Sequence, residues 1–391
     1  MIGLGEYHYV EHGRALEEVA SQLARAEVIA IDTEFHREKS YFAKLALVQI
    51  AAGEEVFIID PLRVDLAPLT EVFTDGPEVV LHAATQDIEI LRRKVGTAPS
   101  RIHDTQIAAG FLGYSTPSLA LLLETFLGVR LDKSDRLSDW MARPLERKQL
   151  DYAAQDVLYL VELRDILMSQ LRELNRVDWL AEELSDFVAQ AFRSSSDPTR
   201  AWMRIREVRA LKGRSRHLAM ALASWREQRA MELDIPVRYV LADLAVATVA
   251  QAAPRRVAQL RTIRGVDLRN LGNGADRQIV EVIEKALTSG IPIEEEMPPV
   301  EAADIPPGSA ALLSAWLASR AKAMHIDPNL LGTRSDLNEV LAGTGNSRLS
   351  RGWRKEAVGG YLERIIAGEV ALYLTGAGEV AMVENTGAKV D

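Results

Sequence analysis

Val28-Ile-Ala-Ile-Asp-Thr-Glu34 sets four apolar residues directly before two acids. A short, continuous apolar run of this kind marks a strand buried on both faces. Leu45 to Ala51 and Val56 to Ile59 are two more such runs, and the turn-like Gly53-Glu54-Glu55 between them predicts a hairpin. Val79-Val80-Leu81 is a fourth strand. Helical periodicity follows at Gln86–Lys94, Ser118–Leu127 and Glu146–Leu174. Strands with helices around them predict an α/β domain built on a mixed sheet.

Beyond Thr199 the strand signals fade and helix follows helix to about residue 289, then again from 310 to about Ala371. Two polar stretches punctuate this part. Arg193-Ser-Ser-Ser-Asp-Pro-Thr199 is the first, and Ile291 to Ser309, acidic with five prolines, is the second. The helical blocks share an order. Each opens on a Trp-bearing helix, through Trp225 or Trp316, and each then reaches a turn, Leu233-Asp-Ile-Pro236 or Ile326-Asp-Pro328. This is the pattern of a divergent duplication. The expected division is 1–197, 198–290, a linker at 291–309, 310–374, and a loosely held tail at 375–391.

The 391 residues are 48% hydrophobic and 26% charged, which supports several packed cores and excludes a disordered chain. The absence of cysteine excludes a disulfide scaffold, a thiol nucleophile and a zinc–thiolate site. No run approaches 18 apolar residues and the first residues lack a secretory pattern, so a cytoplasmic protein with no membrane span is expected. The net charge of −10 is unevenly spread. Residues 1–197 carry 20 Lys+Arg against 33 Asp+Glu, 198–290 carry 17 against 9, and 291–391 carry 9 against 14. A basic middle between acidic flanks implies different tasks for different domains.

Asp32 and Glu34 stand two residues apart in a strand and so point the same way. Paired carboxylates at the end of a buried strand are costly unless a cation neutralises them, and hard oxygen donors suit Mg²⁺ or Mn²⁺. Asp87 follows the fourth strand at the start of a helix. Tyr152 and Asp156, four residues apart in the long helix, share one of its faces. Taken singly, Asp32 with Glu34 reads as a solvated loop pair, Asp87 as a first-turn acid answering the helix dipole, and Asp156 as an exposed helical residue. Taken together, they make the arrangement that two-metal phosphodiester hydrolysis requires, with cations about 3.5–4 Å apart clamping the attacking and leaving oxygens. Tyrosine, with a pKa near 10, is a poor base at neutral pH. Its expected role is to aim the attacking water.

Asp32-x-Glu34, Asp87 and Tyr152-x-x-x-Asp156 resemble the three motifs of the DEDD 3′–5′ exonucleases, in their tyrosine-bearing subgroup. The text around them is similar to that of the ribonuclease D family. Asp32-Thr-Glu-Phe-His-Arg-Glu-Lys-Ser-Tyr41, Phe57-Ile-Ile-Asp-Pro-Leu62, Asp132-Lys-Ser-Asp135, Asp139-Trp-Met-Ala-Arg-Pro-Leu145 and Gln149-Leu-Asp-Tyr-Ala-Ala-Gln-Asp-Val157 carry that likeness. The two helical blocks resemble HRDC domains, the first more clearly than the second. The resemblance implies an α/β ribonuclease H-like exonuclease domain followed by two all-α HRDC-like domains. It implies two divalent metal ions, Mg²⁺ or Mn²⁺, with Asp32, Glu34 and Asp156 on the one that activates water. Asp32 would bridge to the second, supported by Asp87. The implied substrates are RNA 3′ ends, in particular tRNA precursors, trimmed to 5′-mononucleotides. Two alternatives stay open, a DNA-directed 3′–5′ exonuclease and an inactive RNA-binding scaffold.

Other residues are weaker candidates. His36, His82 and His103 lie near the motifs and read as structural histidines. Phe35, Tyr41 and Phe42 fit base stacking or core packing equally well. Residues 200–216 hold seven basic residues and one acid. From this run Arg204, Arg206, Arg209 and Arg214 are the candidate phosphate contacts. Trp202, Trp225 and Trp316 read as core anchors.

Overall fold

The structure is a computed structural model that describes residues 7–131, 138–194, 197–266, 274–289, 306–343 and 345–385. The Asp132-Lys-Ser-Asp135 stretch, Ser195 and Ser196 of the first linker, residues 291–305 of the second and the last six residues of the tail lie outside them. The chain divides into two compact units. One comprises 1–34, 46–191 and 302–391, and the other 35–45 and 192–301.

The first unit holds a mixed sheet of β1 (Tyr7–Val10), β2 (Val28–His36), β3 (Lys44–Ala52), β4 (Glu55–Ile59), β5 (Glu78–Leu81) and β6 (Ile102–Asp104). Its strand order is β1-β4-β3-β2-β5-β6. The expected hairpin is present, with β3 and β4 antiparallel and Ala52 opposite Glu55. The pairs β1 with β4, β2 with β5 and β5 with β6 are parallel. The strand carrying the acids is longer than its apolar run. β2 continues through Asp32 and Glu34 to His36, so the two acids lie within the strand rather than at its end.

Helices α1 (Gly13–Leu23), α2 (Leu69–Thr74), α3 (Thr85–Val95), α4 (Thr105–Gly110), α5 (Leu119–Leu127), α6 (Arg147–Leu158), α7 (Leu160–Glu173) and α8 (Val177–Ser194) complete this part. The single helix expected over 146–174 is two. Tyr159, at φ −107° and ψ 1°, leaves the helical region and separates α6 from α7. Glu146 and Gln149 form a reciprocal cap at the start of α6. Ala153, Ala154 and Val157 of α6 share a core with Ala30, Ala46, Leu47, Ile58 and Val80 of the sheet. The small alanines allow close approach, so the face next to them, with Tyr152 and Asp156, meets β2 at Asp32 and Glu34.

Residues 310–374 join this unit through a common core. Leu313, Trp316, Leu331, Leu349 and Trp353 pack with Ala108 and Phe111 around α4, Leu163 and Leu167 of α7, and Leu180 of α8. The Phe111 and Trp353 rings lie 4.9 Å apart, edge to face. Arg354, almost fully buried, pairs with Glu183 at 2.7 Å. Past them the chain forms an antiparallel pair, Val370–Leu374 with Val380–Glu384, so the block expected to be all helix ends on a strand and the tail carries another.

The second unit centres on the helix Gly213–Leu233, packed with Asp243–Ala252 and Ala275–Thr288 around Trp202, Leu218, Leu222, Val246, Val249 and Ile279. Tyr41, in the 35–45 segment, packs against Ala230, Val240 and Ala275 and donates its hydroxyl to Glu227. The Phe42 N–H donates to Asp234 Oδ1 at 3.0 Å. Tyr41 therefore serves packing, and Phe42 is held through its backbone. The two Trp-bearing helices end alike, on left-handed residues Asp234 (φ 48°) and His325 (φ 52°), each followed by a four-residue helix.

Candidate active site

β2 and α6 bring three of the expected acids together. One carboxylate oxygen from each of Asp32, Glu34 and Asp156 lies within 4.8 Å of the others. Asp87 sits in the first turn of α3, where the helix dipole favours an acid. It is buried, and the Thr33 hydroxyl donates to its Oδ1. Burial and the neighbouring Asp104 push the Asp87 carboxyl up to about 6, against the hydrogen bonds from Thr33. Asp32 is pushed well above the usual carboxylate range, first by burial and then by Asp87, Asp156 and Glu34. Four acids thus act on one another. Tyr152 completes the group. Burial, then Asp156, Glu34 and Asp32, raise its hydroxyl above the ordinary phenol range, and it hydrogen-bonds to Asp156. It remains protonated, able to donate and unfit to act as a base.

The donor set fits a hard divalent cation. It is all oxygen, it crowds like charges, and the pressure on Asp32 to take up a proton is the pressure a bound cation would relieve. Asp32, Glu34 and Asp156 are the residues that would hold it.

Two stretches of the chain match known families. Residues 7–172 match the DNA_pol_A_exo1 family, described as a 3′-5′ exonuclease, and residues 215–277 match the HRDC domain. The chain is 36% identical to the ribonuclease D of Acidiphilium cryptum (strain JF-5) over 382 residues, 94% of this chain and 95% of that protein. The chain belongs to the ribonuclease D family. The ribonuclease D of Zymomonas mobilis is 35% identical over 381 residues, covering 94% and 95% of the two chains. The crystal structure of Escherichia coli RNase D, described as an exoribonuclease involved in structured RNA processing, superposes with a TM-score of 0.83 at 27% identity. That match covers 93% of this chain and 99% of that one. The catalytic core of RRP6 from Trypanosoma brucei shares the fold, with a TM-score of 0.56 at 23% identity, over 74% of this chain and 82% of that one.

As a ribonuclease D family member the chain is a 3′–5′ exoribonuclease, with a mixed α/β exonuclease domain followed by a helical HRDC region. No described helix is long and apolar enough to cross a membrane.

His82 is held by Thr105 Oγ1 at 2.9 Å and the Pro117 carbonyl at 3.1 Å, and His103 is buried. His36 is partly exposed beside Glu38, 3.8 Å away. Arg206, Arg209 and Arg214 are exposed, with no partner among the described residues. Arg204 differs, because its Nη2 donates to the buried Glu227 at 2.6 Å.

Three residues close to the acids were not singled out in the sequence. Asp104 is buried and accepts from the backbone N–H groups of Ala84, Gln106 and Ile107, tying the start of α3 to the start of α4. Thr33 hides inside the Asp-x-Glu motif as its middle letter. Gln49 is a fully buried amide that donates Nε2–H to Asp32 Oδ2 at 3.2 Å. A polar letter inside the apolar run 45–51 was its only signal.

Proposed function

We propose that this exoribonuclease shortens RNA from the 3′ end one nucleotide at a time, using divalent cations, Mg²⁺ or Mn²⁺, and releasing 5′-mononucleotides. The observation that carries this reading is the convergence of Asp32, Glu34 and Asp156 within 4.8 Å, with Asp87 and Tyr152 in electrostatic reach. Cations bound there would neutralise the carboxylates and stabilise charge on the oxygens of the phosphodiester. Asp32, grouped with Glu34 and Asp156 and acted on by Asp87, would serve two ions. Asp87 supports it from α3. Tyr152, kept protonated, orients the attacking water by hydrogen bonding rather than deprotonating it. Tyr152 and Asp156 move as one face of α6, so the water-orienting and ligating groups keep fixed spacing.

The physiological substrates we propose are structured RNAs, tRNA precursors in particular, processed in the cytoplasm. The ribonuclease D names of its relatives and the structured-RNA role stated for the E. coli protein support this choice. The exposed Arg206, Arg209 and Arg214 of the basic unit are the proposed backbone contacts.

The test is trimming of matched RNA and DNA oligomers by the purified chain, with and without chelator. Loss of RNA trimming in chelator and its return with Mg²⁺ or Mn²⁺ is expected. Full turnover in excess chelator would overturn the metal reading, and preference for DNA would overturn the substrate.

A further inference from the structure

Gln49 is an anomaly in its strand. Leu45, Ala46, Leu47, Val48, Ile50 and Ala51 around it are buried and apolar, and Gln49 itself has no exposed surface. Its Nε2–H reaches Asp32 Oδ2 across the adjacent β2, while its Oε1 has no partner among the described residues. A buried acceptor left unpaired is unfavourable, and an aliphatic side chain of the same length would avoid it. With Asp32 ionised, as a bound cation requires, turning the amide over would set its oxygen against the carboxylate oxygen of Asp32. The orientation of the amide is set by Asp32, at the expense of its own hydrogen bonding.

We infer that Gln49 is a positioning residue for the acidic site. Its N–H fixes the rotation of the Asp32 carboxylate so that the group faces Glu34 and Asp156, ready for a cation. The inference rests on the metal reading above. The chemistry at position 49 favours an amide. A carboxylate there would add one more negative charge to a site already crowded with them. A lysine or arginine would supply the neutralising charge that the cation must supply, and would compete with it. An uncharged donor orients Asp32 and leaves its charge available. Hydrogen bonds that orient a metal-binding group from behind are worth about 10- to 100-fold in metal affinity.

The experiment is calorimetric titration of Mn²⁺ into the full-length, RNA-free chain, comparing the unmodified protein with Gln49→Met, Gln49→Asn and Asp32→Asn. Gln49→Met keeps length and removes the donor. Gln49→Asn keeps the amide and withdraws it from reach. Asp32→Asn identifies which binding heat belongs to the site. Both Gln49 variants are expected to bind Mn²⁺ at that site about tenfold more weakly or worse. The Mn²⁺ concentration for half-maximal RNA trimming should rise by a similar factor, and saturating Mn²⁺ should restore most of the turnover. A residue that only filled space would lower turnover at every Mn²⁺ concentration without moving the affinity. Affinities equal to that of the unmodified protein would overturn the inference. Absence of any Asp32-dependent binding in the unmodified protein would overturn the metal reading and this inference with it. If one Gln49 variant fails to fold, the other carries the measurement.

Discussion

Arg143 grips Asp60 through two parallel hydrogen bonds, Nε to Oδ2 at 2.6 Å and Nη2 to Oδ1 at 2.8 Å, across 83 residues of sequence. Asp60 is fully buried and also accepts from the Tyr9 hydroxyl at 2.7 Å. The same guanidinium donates to the carbonyls of Ala46 and Trp140. It thereby ties the loop that enters α6 to β1, β3 and the end of β4. The Trp140 ring then lies 6.0 Å from that of Tyr152. Burial alone would raise the Asp60 carboxyl, but the bonds from Arg143 and Tyr9 outweigh it and hold it below the usual range.

Removing one partner of such a pair leaves a buried charge uncompensated. Arg143→Ala should therefore cost about 3–5 kcal/mol of stability, and Arg143→Lys less, since it keeps the charge and loses the fork. Urea unfolding of the two variants checks this. A loss below about 1 kcal/mol for Arg143→Ala would mean that water reaches Asp60 freely, contrary to its burial.

Tyr152→Phe removes one hydroxyl and keeps the ring against Trp140. Single-turnover trimming should slow by roughly ten- to a thousandfold, the range of orienting and acid–base effects, with RNA affinity nearly unchanged. Weaker binding at an unaltered single-turnover rate would contradict the water-orienting role.

What could be read from the sequence was local. Asp32 with Glu34, and Tyr152 with Asp156, are fixed by the two-residue and four-residue periods of strand and helix, so their pairing needs no knowledge of the fold. Asp60 with Arg143 and Gln49 with Asp32 are joined by tertiary folding, which no period reports. β6, three residues long, is too short to show alternation. The strand Val380–Glu384 has hydrophobic letters, but its partner is what makes it a strand. The shared core of Trp316 and Trp353 with α4, α7 and α8 was hidden for a related reason. An apolar helix face predicts burial without naming what it is buried against.

His103 has a pH signature. Burial, and then the nearby Arg164, lower its pKa from 6.5 to about 4. The 3.8 Å approach of its Nδ1 to Glu78 is therefore not an ion pair near neutral pH. Between those values the unfolded chain binds a proton that the folded chain does not. The stability tied to neutral His103 is complete above pH 6.5 and is lost as the pH falls towards 4. His103→Phe should melt with a flatter dependence on pH across that window. Parallel melting profiles for the two proteins would show that His103 is solvated enough to titrate normally.

The basic run of the second unit calls for two separate experiments, because its arginines are not equivalent. Arg204 pairs with the buried Glu227, which also accepts from Tyr41. Neutralising Arg204 should therefore lower the stability of that unit whatever it does to RNA. Arg206, Arg209 and Arg214 are exposed and unpaired among the described residues, so they can be changed with little effect on folding. The first 197 residues carry 33 acids against 20 Lys+Arg, and the repulsion of RNA by such a surface has to be offset elsewhere. Each phosphate contact releases counterions and contributes roughly −0.7 to the slope of log affinity against log salt for a single strand. Arg206→Gln, Arg209→Gln and Arg214→Gln combined should weaken binding of a structured RNA and flatten that slope by as much as about 2. Trimming of a short oligomer, held only at the acids, should change little. Affinity measured against salt for the unmodified protein and the triple variant decides the matter. Superimposable slopes would mean that the three side chains are solvated surface, and that the charge of this unit serves something other than RNA.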